Sequence, residues 1–325
     1  MNLNRESYTD EKLCNLILRF KRIFFWGLKD SHLSHRFIFE AYRNVFSRFK
    51  IDCFWVDDDD DSVEISRDDL IFVYGRANNL WKVVEASPYI IDFHVDPPAG
   101  NEFALDRGLV EAITKSPKRI GDREHTAFSN EQSVTVLDRL SFYCPRRRVL
   151  AQPWGTDYHP SEFLKPNPNV SSNLVVFNGT VWKSSWGNHD EIEELKRVCD
   201  SFGLDFSQVD NAKSAQNAML VNSARLSPTV AGRGQVNANY LACRFFKNIS
   251  YGQYCFTNIG AAREVLNENF LHYKDVRELE NAMETYLTLT EKELTEKTLE
   301  QQLSVQKFTI YHHLYLCLLI LLENS

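Results

Sequence analysis

Short apolar segments alternate with a helical pattern in the first third of the chain, and this rhythm limits the folds open to it. The apolar segments contain too few polar residues to be half exposed, and they lie at 22–27, 51–56, 70–74 and 89–95. Helical periodicity at 37–49 predicts an amphipathic helix that buries Phe37, Ala41, Val45 and Phe49. The alternation predicts an α/β fold with a parallel sheet covered by helices on both faces.

The length of 325 residues exceeds what a single hydrophobic core usually supports. Prolines, asparagines and serines concentrate at 158–172, and a second alternation begins with the apolar run 174–177. We therefore predict two Rossmann-like, doubly wound domains. The predicted parts are a first domain at 1–157, a linker at 158–172, a second domain at 173–300 and a terminal helix at 301–325 that packs back on the protein. Ligands bind at the carboxyl ends of such strands, so we expect the site in a cleft between the domains.

The acidic balance and the cysteines restrict the partners and the compartment. A net charge of −7 opposes bulk binding to nucleic acid, because a phosphate backbone would be repelled. The seven cysteines lack C-x-x-C spacing and no apolar leader follows Met1, so we expect a reducing, cytoplasmic compartment. The apolar run 314–322 is much shorter than the roughly 20 residues that span a bilayer. It predicts a docked terminal helix, with peripheral membrane contact as the alternative.

The segment 240–258 contains the strongest chemical signal in the chain. Arg244 and Lys247 lie three residues apart, so a helix would place both on one face. Phenylalanines between and beside them belong in a core, and a glycine then ends the helical pattern. Two cations near the N-terminus of a buried helix need an anion to offset the desolvation of their charges, which predicts a phosphate site. An ion pair of Arg244 with an acidic residue, such as Glu264 or Asp275, is the structural alternative.

Two segments near these cations resemble a known family. They read Ser227-Pro-Thr-Val-Ala-Gly-Arg-Gly-Gln235 and Cys243-Arg-Phe-Phe-Lys-Asn-Ile-Ser-Tyr-Gly252. Together they are similar to uncharacterised bacterial and viral glycosyltransferase-like proteins of the GT-B type, which the two Rossmann-like halves and the Trp-Gly-Thr-Asp linker also resemble. The resemblance implies transfer of a sugar from a nucleoside-diphosphate sugar, the donor substrate, to a carbohydrate-containing acceptor. It implies that the second domain binds the donor and that the first faces the acceptor.

The resemblance also implies a set of donor-binding residues. By this resemblance, the two cations of segment 240–258 would hold the donor diphosphate, and the glycine turn at 232–235 would approach the donor. The set comprises Gly232, Gln235, Arg244, Lys247, Asn248, Ser250 and Tyr251. Preorganised cations stabilise the charge that grows on the leaving phosphate, so no metal or other cofactor is required. The acidic run 57–61 reads as a solvated loop. Paired glutamates eight residues apart, typical of many retaining GT-B enzymes, are missing near this site, which leaves retention or inversion open.

Structural roles are open alternatives for several of these residues. Gly232 and Gly234 are equally explained by a positive φ angle in a turn. Packing in the core is an alternative to base stacking for Tyr251. Asn248 and Ser250 have side chains that commonly bond to local backbone instead of a phosphate.

The first domain contains two candidate clusters on the acceptor side. The loop after the first strand holds Asp30, His32 and His35, where one histidine would be a catalytic base oriented by the carboxylate. An ordinary loop histidine, or one that starts the helix, is the alternative for each. A second cluster surrounds the end of the fourth strand, where a buried hydrogen-bonded pair is an equal explanation, and its members are Asp92, His94, Asp96 and Glu102.

Two rival functions follow from the same pattern. A nucleotide-sugar epimerase or dehydrogenase is disfavoured, because the first strand ends at Trp26-Gly27 without a G-x-G-x-x-G turn after it. A non-catalytic two-domain protein that holds a nucleotide or phosphosugar is the rival from a different class.

Overall fold

The computed structural model describes residues 8–27, 29, 36–60, 62–74, 82–83, 86–87, 89–94, 126–129, 142–144, 149–151, 155–167, 173–210, 214–237 and 240–323. These residues form two compact units. Unit 1 contains the described residues up to 151 together with 310–323, and unit 2 contains those between 155 and 309. The chain therefore returns to unit 1 for its last helix.

Strands and helices alternate along the described chain. The strands are β1 (Ile23–Trp26), β2 (Phe54–Val56), β3 (Leu70–Tyr74), β4 (Ile90–His94), β5 (Thr126–Ser129), β6 (Phe142–Cys144), β7 (Val149–Ala151), β8 (Leu174–Asn178), β9 (Asp205–Val209), β10 (Phe256–Thr257) and β11 (Leu271–His272). The α-helices are α1 (Asp10–Ile17), α2 (Arg36–Arg48), α3 (His189–Ser201), α4 (Ser214–Ser223), α5 (Arg233–Asn237), α6 (Cys243–Ser250), α7 (Arg263–Leu266), α8 (Val276–Thr288), α9 (Glu291–Val305) and α10 (Ile310–Glu323).

Unit 1 is built on a sheet in which the described strands have the order β2-β1-β3-β4-β5-β7-β6. Neighbouring strands are parallel, except that β6 and β7 are antiparallel. The predicted parallel α/β sheet is confirmed. Strands β5 and β6 lie where the sequence pattern predicts no strand.

Both faces of the inner strands of unit 1 are buried. Phe25 on β1 and Phe72 on β3 stack with ring centroids 4.7 Å apart, on the face that α2 covers. Phe24 and Ile71, their neighbours along the strands, belong to a separate buried cluster. Because neither face contacts water, these strands need apolar residues at every position, which explains the uninterrupted apolar runs.

The predicted helix at 37–49 is confirmed as α2, but of its predicted buried stripe only Val45 is fully buried. Phe37 is 57% exposed. The buried residues of α2 are Ile38, Phe39, Tyr42, Val45 and Phe46. A helix turns by about 100° per residue, so a stripe of four-residue steps drifts by about 40° at each step. Mixed steps of three and four residues stay on the face that contacts the sheet.

The terminal helix of the chain begins later than the predicted residue 301. A turn of 3-10 helix at Gln306–Phe308 separates α9 from α10, and Thr309 between them is extended, with φ −95° and ψ 153°. Thr309 forms an isolated β-bridge with Thr156. Helix α10 contacts α1 and α2. Within the described parts of the chain, every helix is too short or too polar to cross a bilayer.

Unit 2 contains two short parallel pairs, β8 with β9 and β10 with β11. The segment 225–229 joins them, because Leu226 bridges β8 and Thr229 bridges β10, both in the parallel sense. The carboxyl ends of parallel strands lie at the same end of a sheet. We call that end of the unit 2 sheet the carboxyl edge, and we call the end where the strands begin the amino edge. The carboxyl edge is defined by Asn178, Val209, Thr229, Thr257 and His272, and the amino edge by Leu174, Asp205, Arg225, Phe256 and Leu271.

Candidate functional site

Arg244, in the first turn of α6, lies at the carboxyl edge of unit 2. Its Nε donates to the carbonyl oxygen of Asn178, and its Nη1 donates to that of Val230 at 3.4 Å. The guanidinium carbon is 4.2 Å from the ring centroid of Phe177. Gly179 follows β8 with a φ of 144°, and a side chain there would overlap Nη2 of Arg244. The end of β8 is therefore shaped around this guanidinium.

No described carboxylate forms an ion pair with Arg244, although the charge of Asp210 acts on it at longer range. Its partners are two carbonyl oxygens and an aromatic ring. Neither Glu264 nor Asp275, the examples given for the alternative, forms an ion pair with Arg244, and Asp275 instead caps α8 by accepting the N–H of Glu278 at 2.8 Å. Burial lowers the pKa of the Arg244 guanidinium, against the opposing effect of neighbouring groups. A buried cation without a counter-ion is completed by an anion.

Lys247, one turn further along α6, is neutralised within unit 2. Its Nζ lies 3.3 Å from Oδ1 of Asp157, and the same oxygen accepts the hydroxyl of Tyr251 at 3.4 Å. Burial favours the neutral amine, but the charge of Asp157 outweighs it, and the pKa of Lys247 is raised above its ordinary value. Lys247 therefore ties α6 to the segment that enters unit 2. Its contact with a diphosphate stays a prediction.

The last turn of α6 is held by the protein itself. Nδ2 of Asn248 donates to the carbonyl and hydroxyl oxygens of Ser227, at 2.9 and 3.2 Å. The hydroxyl of Ser250 donates to the backbone carbonyl three residues earlier, at 2.8 Å. Tyr251 is fully buried, and Gly252 ends the helix with a φ of 88°, as predicted. The contacts of Ser250 and Tyr251 match their structural alternatives, whereas Asn248 bonds to the distant Ser227 and not to local backbone. Contacts of all three residues with a donor stay predictions.

The two glycines of the predicted donor turn lie so close to neighbouring backbone of unit 2 that a side chain would not fit at either position. A side chain at Gly232 would overlap the carbonyl oxygen of Gly187, and one at Gly234 would also meet the 179–188 loop. Both lie outside the positive-φ glycines of the described chain, so the turn-angle alternative is wrong. The N–H of Gly232 donates to Oε1 of Gln235 at 3.3 Å. The turn and the loop thus pack backbone against backbone.

The loop at 179–188, which follows β8, carries two exposed tryptophans that the sequence reasoning missed. Trp182 is 40% exposed and Trp186 is 44% exposed. Nε1 of Trp182 donates to Oγ of Ser184 at 3.1 Å, and the same oxygen accepts the backbone N–H of Trp186 at 3.1 Å. A Trp-Lys-Ser-Ser-Trp run directly after a predicted strand was the signal available for finding them.

The predicted candidates of the first domain lie outside what the structure describes. They are Asp30, His32, His35, Asp96 and Glu102, together with the side chains of Asp92 and His94. Strand β1 ends at Trp26 and α2 begins at Arg36, and the first cluster falls between them in the sequence. Across the described residues, no group of three or more His, Cys, Asp or Glu side chains is placed to hold a metal ion.

A cavity of about 170 Å³ lies at the amino edge of unit 2, at the opposite end of the strands from Arg244. Arg225, Gln253, Tyr286 and Thr298 are among its lining residues. Ligand pockets for drug-sized molecules usually enclose about 300 Å³ or more. The cavity is therefore too small for a nucleoside-diphosphate sugar.

Comparison with known proteins finds similarity in structure but not in sequence. No protein-family model matches the chain, and no curated protein matches its sequence. The chain is similar to alpha,alpha-trehalose 6-phosphate synthase from Burkholderia multivorans, with a TM-score of 0.51 and 12% identity over 78% of this chain and 72% of that one. It is also similar to an alpha-glucosyltransferase in complex with UDP, with a TM-score of 0.57 and 8% identity over 88% and 95% of the two chains. The fold is GT-B.

The GT-B fold confirms the predicted pair of Rossmann-like domains. The alpha-glucosyltransferase is also known in complex with UDP and a 13-mer DNA that contains a central A:G mismatch, and that structure has a TM-score of 0.57 and 9% identity over 87% and 95% of the two chains. At these identities the likeness concerns the fold. Unit 2, which contains Arg244, corresponds to the domain to which the sequence resemblance assigns the donor.

Proposed function

We propose that the protein is a glycosyltransferase that moves a sugar from a nucleoside-diphosphate sugar to a carbohydrate-containing acceptor, without a metal ion. The observation that carries the proposal is the half-buried guanidinium of Arg244, which forms no ion pair with a described carboxylate. It lies at the carboxyl edge of a parallel sheet, where ligands bind in open α/β folds. The GT-B fold supports the same chemistry, as does the UDP bound by a structural neighbour.

The remaining hydrogen-bonding capacity of Arg244 suits a diphosphate. A guanidinium has five N–H donors in a planar fork. Asn178 and Val230 use Nε and one donor of Nη1, and Nη2 has no hydrogen-bond partner among the described residues. Phosphate oxygens accept such paired donors in a bidentate manner.

Glycosyl transfer breaks the bond between the anomeric carbon and the diphosphate oxygen, and the electron pair stays on the leaving diphosphate. The acceptor oxygen bonds to that carbon, and its proton passes to a base. Negative charge grows on the diphosphate in the transition state, so a fixed cation there stabilises the transition state more than the ground state. Asn178 and Phe177 hold Arg244 in place for this role. Asp30, His32 and His35 remain the proposed source of the base.

The acceptor and the compartment follow from weaker observations. One structural neighbour is in complex with DNA, but the net charge of −7 weighs against a nucleic-acid acceptor here and favours a carbohydrate. Six of the seven cysteines are described as free thiols, which fits the proposed reducing, cytoplasmic compartment.

The test of this function is calorimetric titration with UDP and GDP, followed by a donor-hydrolysis assay. We expect Arg244→Ala to weaken nucleoside-diphosphate binding by about 30-fold or more, because it removes the buried charge that would face the phosphates. Arg197→Ala is the matched control, since Arg197 is exposed on α3. The melting temperature of Arg244→Ala should stay close to that of wild type, because the lost contacts with Asn178, Val230 and Phe177 are offset by removal of a half-buried cation that has no ion-pair partner.

If Arg244→Ala and wild type bind both nucleotides with equal affinity, the nucleotide site does not include Arg244. Binding of a nucleotide without turnover of any sugar donor would support the rival of a non-catalytic binding protein. Transfer to a DNA duplex in place of a carbohydrate would correct the acceptor and leave the donor site intact.

A further inference from the structure

Exposed tryptophans in the 179–188 loop stand out because the rest of the carboxyl edge is well packed. Trp182 and Trp186 are 40% and 44% exposed, although tryptophan is among the most buried residue types on average. Both lie on the loop that begins at Gly179, the residue that makes room for Nη2 of Arg244. The loop thus starts at the candidate diphosphate site and continues into two solvent-exposed indole rings.

The loop is built to present these rings. Ser184 accepts the indole N–H of Trp182 and the backbone N–H of Trp186, both at 3.1 Å, so one hydroxyl fixes both residues. The N–H of Gly187 donates to the carbonyl of Ser184 at 3.1 Å, which closes the loop on itself. A side chain at Gly187 would overlap the carbonyl oxygen of Trp182 in the same loop, and one at Gly232 would overlap the carbonyl oxygen of Gly187. Such packing holds the loop against the glycine turn.

The hydrogen-bonding state of the rings indicates the kind of contact that they can still make. An indole has a single donor, and that of Trp182 is already used within the loop. What remains is the apolar π-face, which a flat heterocycle covers well. Stacking of a base on an aromatic side chain tolerates any base, because every base has a π-face.

We propose that Trp182 and Trp186 form the platform on which the base of the nucleoside diphosphate stacks. The inference rests on the proposed function, because it takes the diphosphate to be held by Arg244 at the start of the same loop. Ser184 acts as a positioning residue that orients the platform.

The experiment measures affinity for UDP, GDP, uridine and inorganic pyrophosphate by calorimetry. The Trp182→Ala/Trp186→Ala variant should lose about tenfold or more in affinity for UDP, GDP and uridine, while its affinity for pyrophosphate stays unchanged. Arg244→Ala should show the opposite pattern, with pyrophosphate binding lost and uridine binding retained. Phe202→Ala is the matched control, because Phe202 is a 36% exposed aromatic residue at the far end of α3.

Tryptophan fluorescence gives a second readout that a purely structural role would not change. Uridine should quench the emission of wild type, and the single variants Trp182→Phe and Trp186→Phe should each lose part of that quenching while retaining a stacking surface. Ser184→Ala should weaken uridine binding without a change in the melting temperature.

Three outcomes separate this proposal from the proposed function. If wild type binds UDP and the double tryptophan variant binds it equally well, the platform is refuted and the donor site stands. If the double variant loses pyrophosphate as well as uridine, the loop is structural and the platform is also refuted. If uridine binding depends on the tryptophans but no sugar donor is turned over, the platform stands and the glycosyltransferase function fails.

Discussion

The two edges of the unit 2 sheet differ in how completely their polar groups are partnered. At the carboxyl edge, Arg244 is half-buried and forms no ion pair with a described carboxylate, and two indole rings are exposed. At the amino edge, the amide of Gln253 donates to the carbonyls of Val221 and Ala224 at 2.7 and 3.0 Å, and the hydroxyl of Tyr286 donates to the carbonyl of Arg225. The cavity is at the amino edge, whereas the cation without an ion-pair partner and the exposed rings are at the carboxyl edge.

This difference indicates that a binding site is better located by unmet interactions than by empty volume. A void lined by satisfied groups gains little from a ligand, because the ligand must replace bonds that already exist. A buried cation that lacks a counter-ion gains a charge-assisted contact as soon as an anion arrives. Substitutions at the two edges should therefore have different consequences.

The largest expected effect is on stability, and it compares a glycine at the carboxyl edge with a glycine near the amino edge. Gly232→Ala would force a methyl group into the backbone of the loop at Gly187, which cannot move as a side chain does. We expect it to lower the free energy of unfolding by about 3 kcal/mol. Gly203, at the start of the amino edge, has a φ of +66° and open space around it, so Gly203→Ala should cost only about 1–2 kcal/mol of strain. Urea denaturation of both variants measures the difference, and equal losses would contradict the close backbone packing at the carboxyl edge.

A smaller effect should separate the two cations of α6. Lys247→Met leaves the carboxylate of Asp157, which is only 11% exposed, without its cation. We expect a loss of about 2 kcal/mol in the free energy of unfolding, whereas Arg244→Ala should cause none. Asp157→Asn combined with Lys247→Met should recover part of the loss, because no unpaired charge then remains. If Arg244→Ala lowered the free energy of unfolding and Lys247→Met left it unchanged, the roles assigned to the two cations would be reversed.

The pair of Lys247 and Asp157 also has a defined pH dependence. Because the pKa of Lys247 is raised in the folded protein, its contribution is fully present below the unfolded value of about 10.4. It is lost as the pH rises through the still higher folded value. The difference in unfolding free energy between wild type and Lys247→Met should therefore be constant from about pH 6 to about pH 9. A steady decline across that interval would show that the amine is not held charged.

The sequence was sufficient to predict the elements that are buried on both faces. Strand β3 was predicted at its observed bounds, and β1 and β4 to within a residue at either end, because their burial requires apolar side chains throughout. Strand β9 was not predicted, since its sequence Asp-Phe-Ser-Gln-Val mixes polar and apolar residues at the edge of a sheet. Strand β6 contains only Phe142–Cys144, which is too short for a periodic signal.

The candidate site was predicted only in part, for a different physical reason. The rule that a buried cation needs a partner depends on residue type and local pattern, so the sequence pattern alone is enough to identify Arg244. The partners themselves are distant in sequence, since Asn178 lies 66 residues from Arg244 and Asp157 lies 94 residues from Tyr251. Such contacts are set by the tertiary fold. A single sequence could therefore not show that one cation of α6 is neutralised and the other is not.

The smallest expected effect is a null result at the amino edge, and it tests the comparison directly. Thr295 lines the cavity from α9, and its hydroxyl donates to the carbonyl of Glu291 at 2.8 Å. Thr295→Phe would fill much of the 170 Å³ with a ring while the lining carbonyls keep their present partners. If nucleotides bind at the carboxyl edge, the affinity for UDP should stay within about twofold of wild type, because the substitution lies on the opposite side of the sheet. A loss of UDP binding in Thr295→Phe, together with normal binding in Arg244→Ala, would place the ligand in the hollow and would show that volume locates the site better than the uncompensated charge does.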